Sequence, residues 1–248
     1  MTYQLPTPAG FGNCGTCAYF ASGPPLVCQQ CAAATLEPAA PFYCTACGQR
    51  IATAQDRCSN RLCGDPGRQF EFNHAIAMKT GALDRAIKDH KYNQRWGWGI
   101  IFARVLLGHL ARDPAVAEAD LIIPMPTLPL PPGATTRKEI DHAGWVIESA
   151  AAQDTVGYAF RADPPVIVKT QATPRMASTN DYGERLSVSS SIYDALQVLD
   201  PAAVVGATVV VFDDVFTTGN TLNAVARRLR EAGARTVRGV TLARQPWG

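Results

Sequence analysis

Apolar residues fall into two patterns along this chain: short unbroken runs, and longer stretches with helical spacing. Four consecutive apolar residues at 209–212 predict a strand buried on both faces. Leu121, Ile122 and Ile123 predict a shorter one, stopped by Pro124 and Pro126, and the runs at 165–168 and 237–242 predict two more. Leu83, Ile87 and Tyr92 set the face of a helix over 79–92. Trp98, Ile101, Phe102, Val105, Leu106 and Leu110 set a second helix, ending before Pro114. Ile140, Trp145, Val146 and Ile147 predict a third over 137–152; Leu222, Val225, Ala226 and Leu229 predict a fourth, ended by Gly233. A proline-rich loop is expected over 127–133 and a long, polar, functional loop over 170–191. Strands alternating with helices imply an α/β fold with a parallel sheet. No apolar run approaches the roughly 20 residues of a membrane span.

The cysteines break this regularity. All eight lie between Cys14 and Cys63, in the pairs Cys14/Cys17, Cys28/Cys31, Cys44/Cys47 and Cys58/Cys63. A tight turn that presents two thiolates is half of a tetrahedral zinc site, so four pairs imply two structural zinc ions. A disulfide framework goes with export, and residues 1–12 lack the basic start and apolar core of a signal peptide. The expected location is the cytoplasm. Sequential pairing would join Cys14, Cys17, Cys28 and Cys31 in one site and Cys44, Cys47, Cys58 and Cys63 in the other; an interleaved cross-brace is the alternative. The turn-rich Gly64-Asp65-Pro66-Gly67 divides a metal-binding module, 1–67, from an α/β domain, 68–248.

The candidate chemistry sits behind the strand at 209–212. Asp213 and Asp214 are expected where it ends, followed by Thr217, Thr218, Gly219, Asn220 and Thr221 at the start of a helix. The unpaired N–H groups and positive dipole end of a helix N-terminus receive a phosphate. Gly219 allows close backbone approach, the threonines add hydroxyl donors, and carboxylates accept hydrogen bonds from a ribose diol. A ligand at the carboxyl end of a strand is also where open α/β sheets bind one.

Residues 208–221 resemble the signature of the type I phosphoribosyltransferases, which bind phosphoribosyl pyrophosphate (PRPP). The wider series resembles the ComF family, competence-associated proteins with a phosphoribosyltransferase-like domain: cysteine knuckles, then Ile87-Lys88-Asp89-His90-Lys91-Tyr92, Ile123-Pro124-Met125-Pro126, Glu184-Arg185 and the Asp213-Asp214 motif. The resemblance implies a Rossmann-like parallel sheet flanked by helices, with a small N-terminal zinc-ribbon module. It implies Mg2+ with PRPP, Asp213 and Asp214 on the ribose hydroxyls, Thr217 to Thr221 around the 5′-phosphate, and the pyrophosphate beside Met125, Pro126 and Thr127. Arg137, Lys138, Lys169 and Arg175 are the cations nearest in sequence. Where the family usually has Arg-Gly-Phe-Asn-Gln, this chain has Asp141 to Trp145, and a loop Gln is replaced by Met176. Thr217 stands where 6-oxopurine enzymes carry a carboxylate, and threonine cannot act as that base, so oxopurine salvage is not expected.

A net charge of +2 is too small to indicate a nucleic-acid or membrane partner by itself. One local stretch is richer: Lys79, Arg85, Lys88, Lys91 and Arg95 face only Asp84 and Asp89, with Tyr92 and Trp96 nearby, which makes single-stranded DNA a candidate partner. His74, His90, His109 and His142 lack ligand spacing relative to one another and are expected to be surface or core residues. Two functions stay open, a phosphoribosyltransferase of unknown acceptor and a non-catalytic PRPP-binding protein that contacts single-stranded DNA or protein.

Overall fold

A computed structural model describes residues 36–39, 41–93, 95–129, 141–173 and 190–246. In chain order the strands are β1 (Asn73–Met78), β2 (Leu121–Pro124), β3 (Ile167–Lys169), β4 (Leu196–Val198), β5 (Thr208–Phe216) and β6 (Thr236–Arg244). The helices are α1 (Gly81–Tyr92), α2 (Gly97–Leu110), α3 (Pro114–Ala117), α4 (His142–Gln153) and α5 (Asn220–Glu231).

Four strands form one all-parallel sheet in the order β1-β6-β5-β2, and β3 and β4 form a small antiparallel pair. β5 lies inside the sheet and is buried without interruption from Thr208 to Phe212, as a run apolar on both faces requires. Beyond β2 the sheet gains one bridge: Ile122 donates to the Ala159 carbonyl and accepts from the Arg161 N–H, both at 2.8 Å. The chain therefore leaves β2 outward, whereas it leaves β5 toward β6 on the other side. Adjacent strands that diverge in this way open a crevice at their carboxyl ends.

Most of the predicted elements are present; two boundaries differ, and β1, α3 and β4 were not among those predicted. β5 does not stop before the acids but runs through Asp213 and Asp214 to Phe216, because β6 is long enough to pair with it as far as Arg244. α4 runs from His142, while residues 137–140 of the predicted helix lie outside the described residues; the Asp141 backbone (φ −117°, ψ 78°) is non-helical, and its carboxylate caps the Gly144 N–H at 2.8 Å. β1 was absent from the prediction. Its sequence, Asn-His-Ala-Ile-Ala-Met, has one β-branched residue and no strict alternation, and it is held by pairing with β6.

The helices are fixed by close fit. α2 and α4 meet where Gly99 lies under the Trp145 ring, so a Cβ there would stand 2.2 Å from a ring carbon. The indole N–H of Trp145 donates to the Trp96 carbonyl at 3.0 Å and holds the ring in place. α5 ends in a left-handed turn at Gly233 (φ 101°), with the Ala234 N–H returning to the Leu229 carbonyl. The described part of the cysteine-bearing segment joins the same core through Leu36 and Cys47. It also reaches β1 directly: Asn73 donates to the Ala46 carbonyl and Met78 to the Glu37 carbonyl.

Gly99→Val tests the α2–α4 fit. We expect it to destabilise the fold by about 1–3 kcal/mol through overpacking against Trp145, read as a lower urea midpoint at unchanged slope; an unmoved midpoint would show that the two helices part freely.

Candidate functional site

The crevice between β2 and β5 collects most of the residues singled out from sequence. After β2 the backbone turns under the end of β5, with the Met125 N–H donating to the Phe212 carbonyl at 2.7 Å, and Lys169 of β3 then donates its N–H to the Thr127 carbonyl at 2.9 Å. After β5, residues 217–219 make the turn into α5, and Gly219 (φ 88°) is the residue that precedes its first turn. A side chain at Gly219 would meet the Phe216 ring at 2.4 Å as well as the left-handed backbone, so both demands select glycine. Met125, Asp213, Thr217, Gly219 and Thr221 line one small hollow. Met125, Pro126 and Thr127 also border a larger, mainly apolar cleft of about 260 Å³ reaching Val166 and Ile167. Asn220 opens α5, and Arg137 lies outside the described residues.

The two aspartates are consecutive in a strand and lean to different sides of the sheet. They stay in contact: the Asp213 carboxylate accepts from the Asp214 N–H at 2.8 Å, and the two carboxyl groups are themselves within hydrogen-bond reach. Asp213 is half-buried and faces the hollow with Thr217 and Thr221. Burial and the neighbouring Asp214 charge push its carboxyl up to about 7. Burial pulls the Lys169 ammonium down, while the charge of Asp213 opposes that pull. Asp214 is buried on the other face and forms an ion pair with Lys91 of α1 at 2.6 Å. Lys91 overcomes the burial of Asp214 and holds that carboxyl below its ordinary value. His90 and His142 stand on the same side, their rings 5.2 Å apart; burial depresses both, and His90 is also opposed by the His142 charge and brought down to about 4. His142 thus lies behind the sheet from the hollow.

Cys44, Cys47, Cys58 and Cys63 converge, with ligand atoms all within 4.8 Å of one another. This is the set that sequential pairing joins; Cys14, Cys17, Cys28 and Cys31 lie outside the described residues. Four sulfurs at this distance fit a tetrahedral metal ion such as zinc. Burial pushes the Cys58 thiol up to about 12, and a divalent cation supplies the charge that four thiolates require.

The cluster is built into the crevice. Asn60, two residues after Cys58, donates its side-chain N–H to the Thr218 carbonyl at 2.9 Å, and Leu62 packs beside Gly219. On the other side, fully buried Arg244 donates to the Phe216 carbonyl at 3.0 Å and reaches Cys47 Sγ at 3.8 Å. Sequence reasoning missed Asn60, Arg244 and the partnership of Lys91 with Asp214. Only Lys91 carried a signal, as a lysine within the Ile87 to Tyr92 block.

The basic stretch on α1 is mostly neutralised within the molecule. Lys79 and Lys88 share Asp84 at 2.9 and 2.7 Å, Arg95 meets Asp89 at 3.4 Å, and Lys91 is committed to Asp214. No helix of the described residues is long and apolar enough to cross a membrane.

Residues 170–248 match the family model for the phosphoribosyl transferase domain, which covers β4, β5, α5 and β6 and the turn between β5 and α5. No curated protein matches the chain. The β5–α5 wall of the crevice thus lies in a segment that matches the phosphoribosyl transferase domain, while β1 and β2 lie outside the matched residues, and a cysteine cluster able to hold a metal such as zinc precedes them.

Two measurements test this geometry. An acid with a raised folded-state pKa favours the unfolded chain once it ionises, so Asp213 burdens the fold fully above about 7 and not below its unfolded value near 4. Asp213→Asn is therefore expected to raise Tm at pH 7.5, with the gain shrinking as pH falls toward 4; a gain that grew toward acid would contradict the assigned direction. Asn60→Ala removes one hydrogen bond from the turn, worth about 1 kcal/mol. Amides of residues 217–221 are expected to exchange about fivefold faster by mass spectrometry, and unchanged protection would show that the cysteine module does not restrain the turn.

Proposed function

We propose that the protein binds PRPP or a related phosphoribosyl ligand with Mg2+ in the β2–β5 crevice and transfers the phosphoribosyl group to an acceptor. The observation that carries this reading is the hollow in which Asp213 faces Thr217, Gly219 and Thr221 at the start of α5, within the segment matching the phosphoribosyl transferase domain. Thr217, Thr218, Gly219, Asn220 and Thr221 receive the 5′-phosphate. Asp213 accepts from a ribose hydroxyl, and Asp214, held by Lys91, fixes the strand end behind it. Met125, Pro126 and Thr127 border the pyrophosphate, with Lys169 and Arg137 as its cations.

The half-buried Asp213 carboxyl suits a divalent oxygen-liganded ion, since such an ion relieves the strain of ionising it. Bound there, Mg2+ would neutralise pyrophosphate charge. In the reaction the bond from the anomeric carbon to the pyrophosphate oxygen breaks, the oxygen keeps the electron pair, and an acceptor lone pair forms the new bond. The transition state resembles an oxocarbenium ion, so the protein contributes mainly position and electrostatics. Thr217 offers no carboxylate for a 6-oxopurine, and the apolar cleft beside Thr127 suits the acceptor. The reading places the chain with the ComF type: a metal-binding module over 1–67 with two zinc ions, a phosphoribosyltransferase-like domain over 68–248, acting in the cytoplasm.

Calorimetry with PRPP and Mg2+ is the test. The wild type is expected to bind and Asp213→Asn to lose at least about tenfold in affinity, the scale of one hydrogen bond to a charged group, while remaining folded at pH 7.5. Equal binding by the two would overturn the site. A panel of bases is expected to give no nucleotide from guanine or hypoxanthine, and pyrophosphate release with another acceptor separates transfer from binding alone.

A further inference from the structure

A second group of ligating side chains lies away from the crevice, near the start of β1. His74 of β1, His109 in the last turn of α2 and Asp113 just before α3 bring one ligand atom each to within 4.8 Å of one another. His74 Nδ1 lies 2.5 Å and His109 Nε2 lies 3.2 Å from the same oxygen, Oδ2 of Asp113. Protons alone do not satisfy the cluster. Oδ1 of Asp113 and Nε2 of His109 are both buried and lack hydrogen-bond geometry to any partner. Buried polar atoms seldom remain so. A cation between the three side chains would use the His74 and His109 nitrogens and one carboxylate oxygen of Asp113.

The rings are held in place for such a role. Phe72 stacks on His74 with centroids 4.0 Å apart, and Arg238, paired with Glu71 at 2.7 Å, lies over Phe72. Asp113 is 2% exposed, whereas the side chains of His74 and His109 are 23% and 14% exposed, so the cluster is nearest to solvent on the histidine side. Ligand atoms about 2.0–2.1 Å from a tetrahedral ion stand roughly 3.3 Å apart. The 3.2 Å pair already meets that spacing, and the His74–Asp113 pair needs to widen by under ~1 Å.

We propose that His74, His109 and Asp113 form a binding site for a divalent transition-metal ion, distinct from the cysteine cluster. Two imidazoles and one carboxylate select zinc or a first-row neighbour over Mg2+ or Ca2+, and three protein ligands leave one position for water. The ion ties the edge strand β1 to the α2–α3 corner. The sequence signal was the four-residue spacing from His109 to Asp113, which a search for paired histidines passes over.

The test uses the full chain, purified with its cysteine sites loaded, and titrates Zn2+ and Co2+. Wild type is expected to take up one further ion, raising Tm, and the Co2+ form to show weak visible bands without added thiolate charge-transfer absorption. His109→Ala and His74→Ala are each expected to weaken this uptake at least about 100-fold, the upper range for loss of groups that support a metal. Asp113→Asn should do the same; if it fails to fold, the two histidine variants carry the result. No further ion in wild type, or equal uptake and equal Tm response in both histidine variants, overturns the site.

Discussion

A strand sends consecutive side chains to opposite faces of its sheet, and in β5 this rule falls on two adjacent acids. Everything around the crevice answers to that constraint. The inner carboxylate, Asp214, enters a buried face and needs a counter-charge there, because an unpaired buried charge is among the least tolerable defects of a fold. Lys91 supplies it at 2.6 Å and links α1, whose Leu83, Ala86 and Ile87 are buried in the core, to the end of β5. The outer carboxylate, Asp213, is left on the ligand side with its pKa raised, beside the turn that opens α5. A pair that looks like one feature in sequence thus has two environments: Asp214 is buried against Lys91, and Asp213 lines the hollow with Thr217 and Thr221.

The cysteine module adds a second constraint to the same turn. Four thiolates around a divalent ion make a doubly negative centre, and the nearest buried cation is Arg244, at 3.8 Å from Cys47 Sγ. Arg244 also holds the carbonyl of Phe216, the last residue of β5, while Asn60 holds the carbonyl of Thr218. Gly219 is then fixed between Phe216 and Leu62. The turn that a phosphate would meet is braced from the metal-binding side at successive positions, so its geometry depends on residues more than 150 positions earlier in the chain.

Much of this was legible in sequence where the signal is local. The buried run at 209–212, the faces of α2 and α5, the Gly233 stop and the spacing within cysteine pairs all follow from neighbours along the chain, whereas on α1 Leu83 and Ile87 are buried but Tyr92, expected on the same face, is exposed. What was illegible depends on partners far away. β1 has little strand character and exists through β6. The extension of β5 past the acids depends on the length of β6, and the start of α4 on a single cap at Asp141. The pairing of α1 cations with Asp84, Asp89 and Asp214 needs side-chain positions that composition does not supply; counted as a list, those residues read as a basic patch.

The division of the acids also bears on what the crevice can accept. A carboxyl held near neutrality is a weak attractant for a free anion, and Asp213 ionised would repel a phosphate placed beside it. The groups facing it resolve the conflict: the N–H groups at the head of α5 favour the phosphate, Lys169 lies near enough to respond to the charge on Asp213, and a sugar hydroxyl or a cation relieves the carboxylate itself. A ligand with only a phosphate leaves Asp213 unsatisfied, and one with only hydroxyls leaves the helix terminus unused. The site therefore favours a molecule that carries an anionic group and a diol a few bonds apart, a requirement a phosphorylated pentose meets.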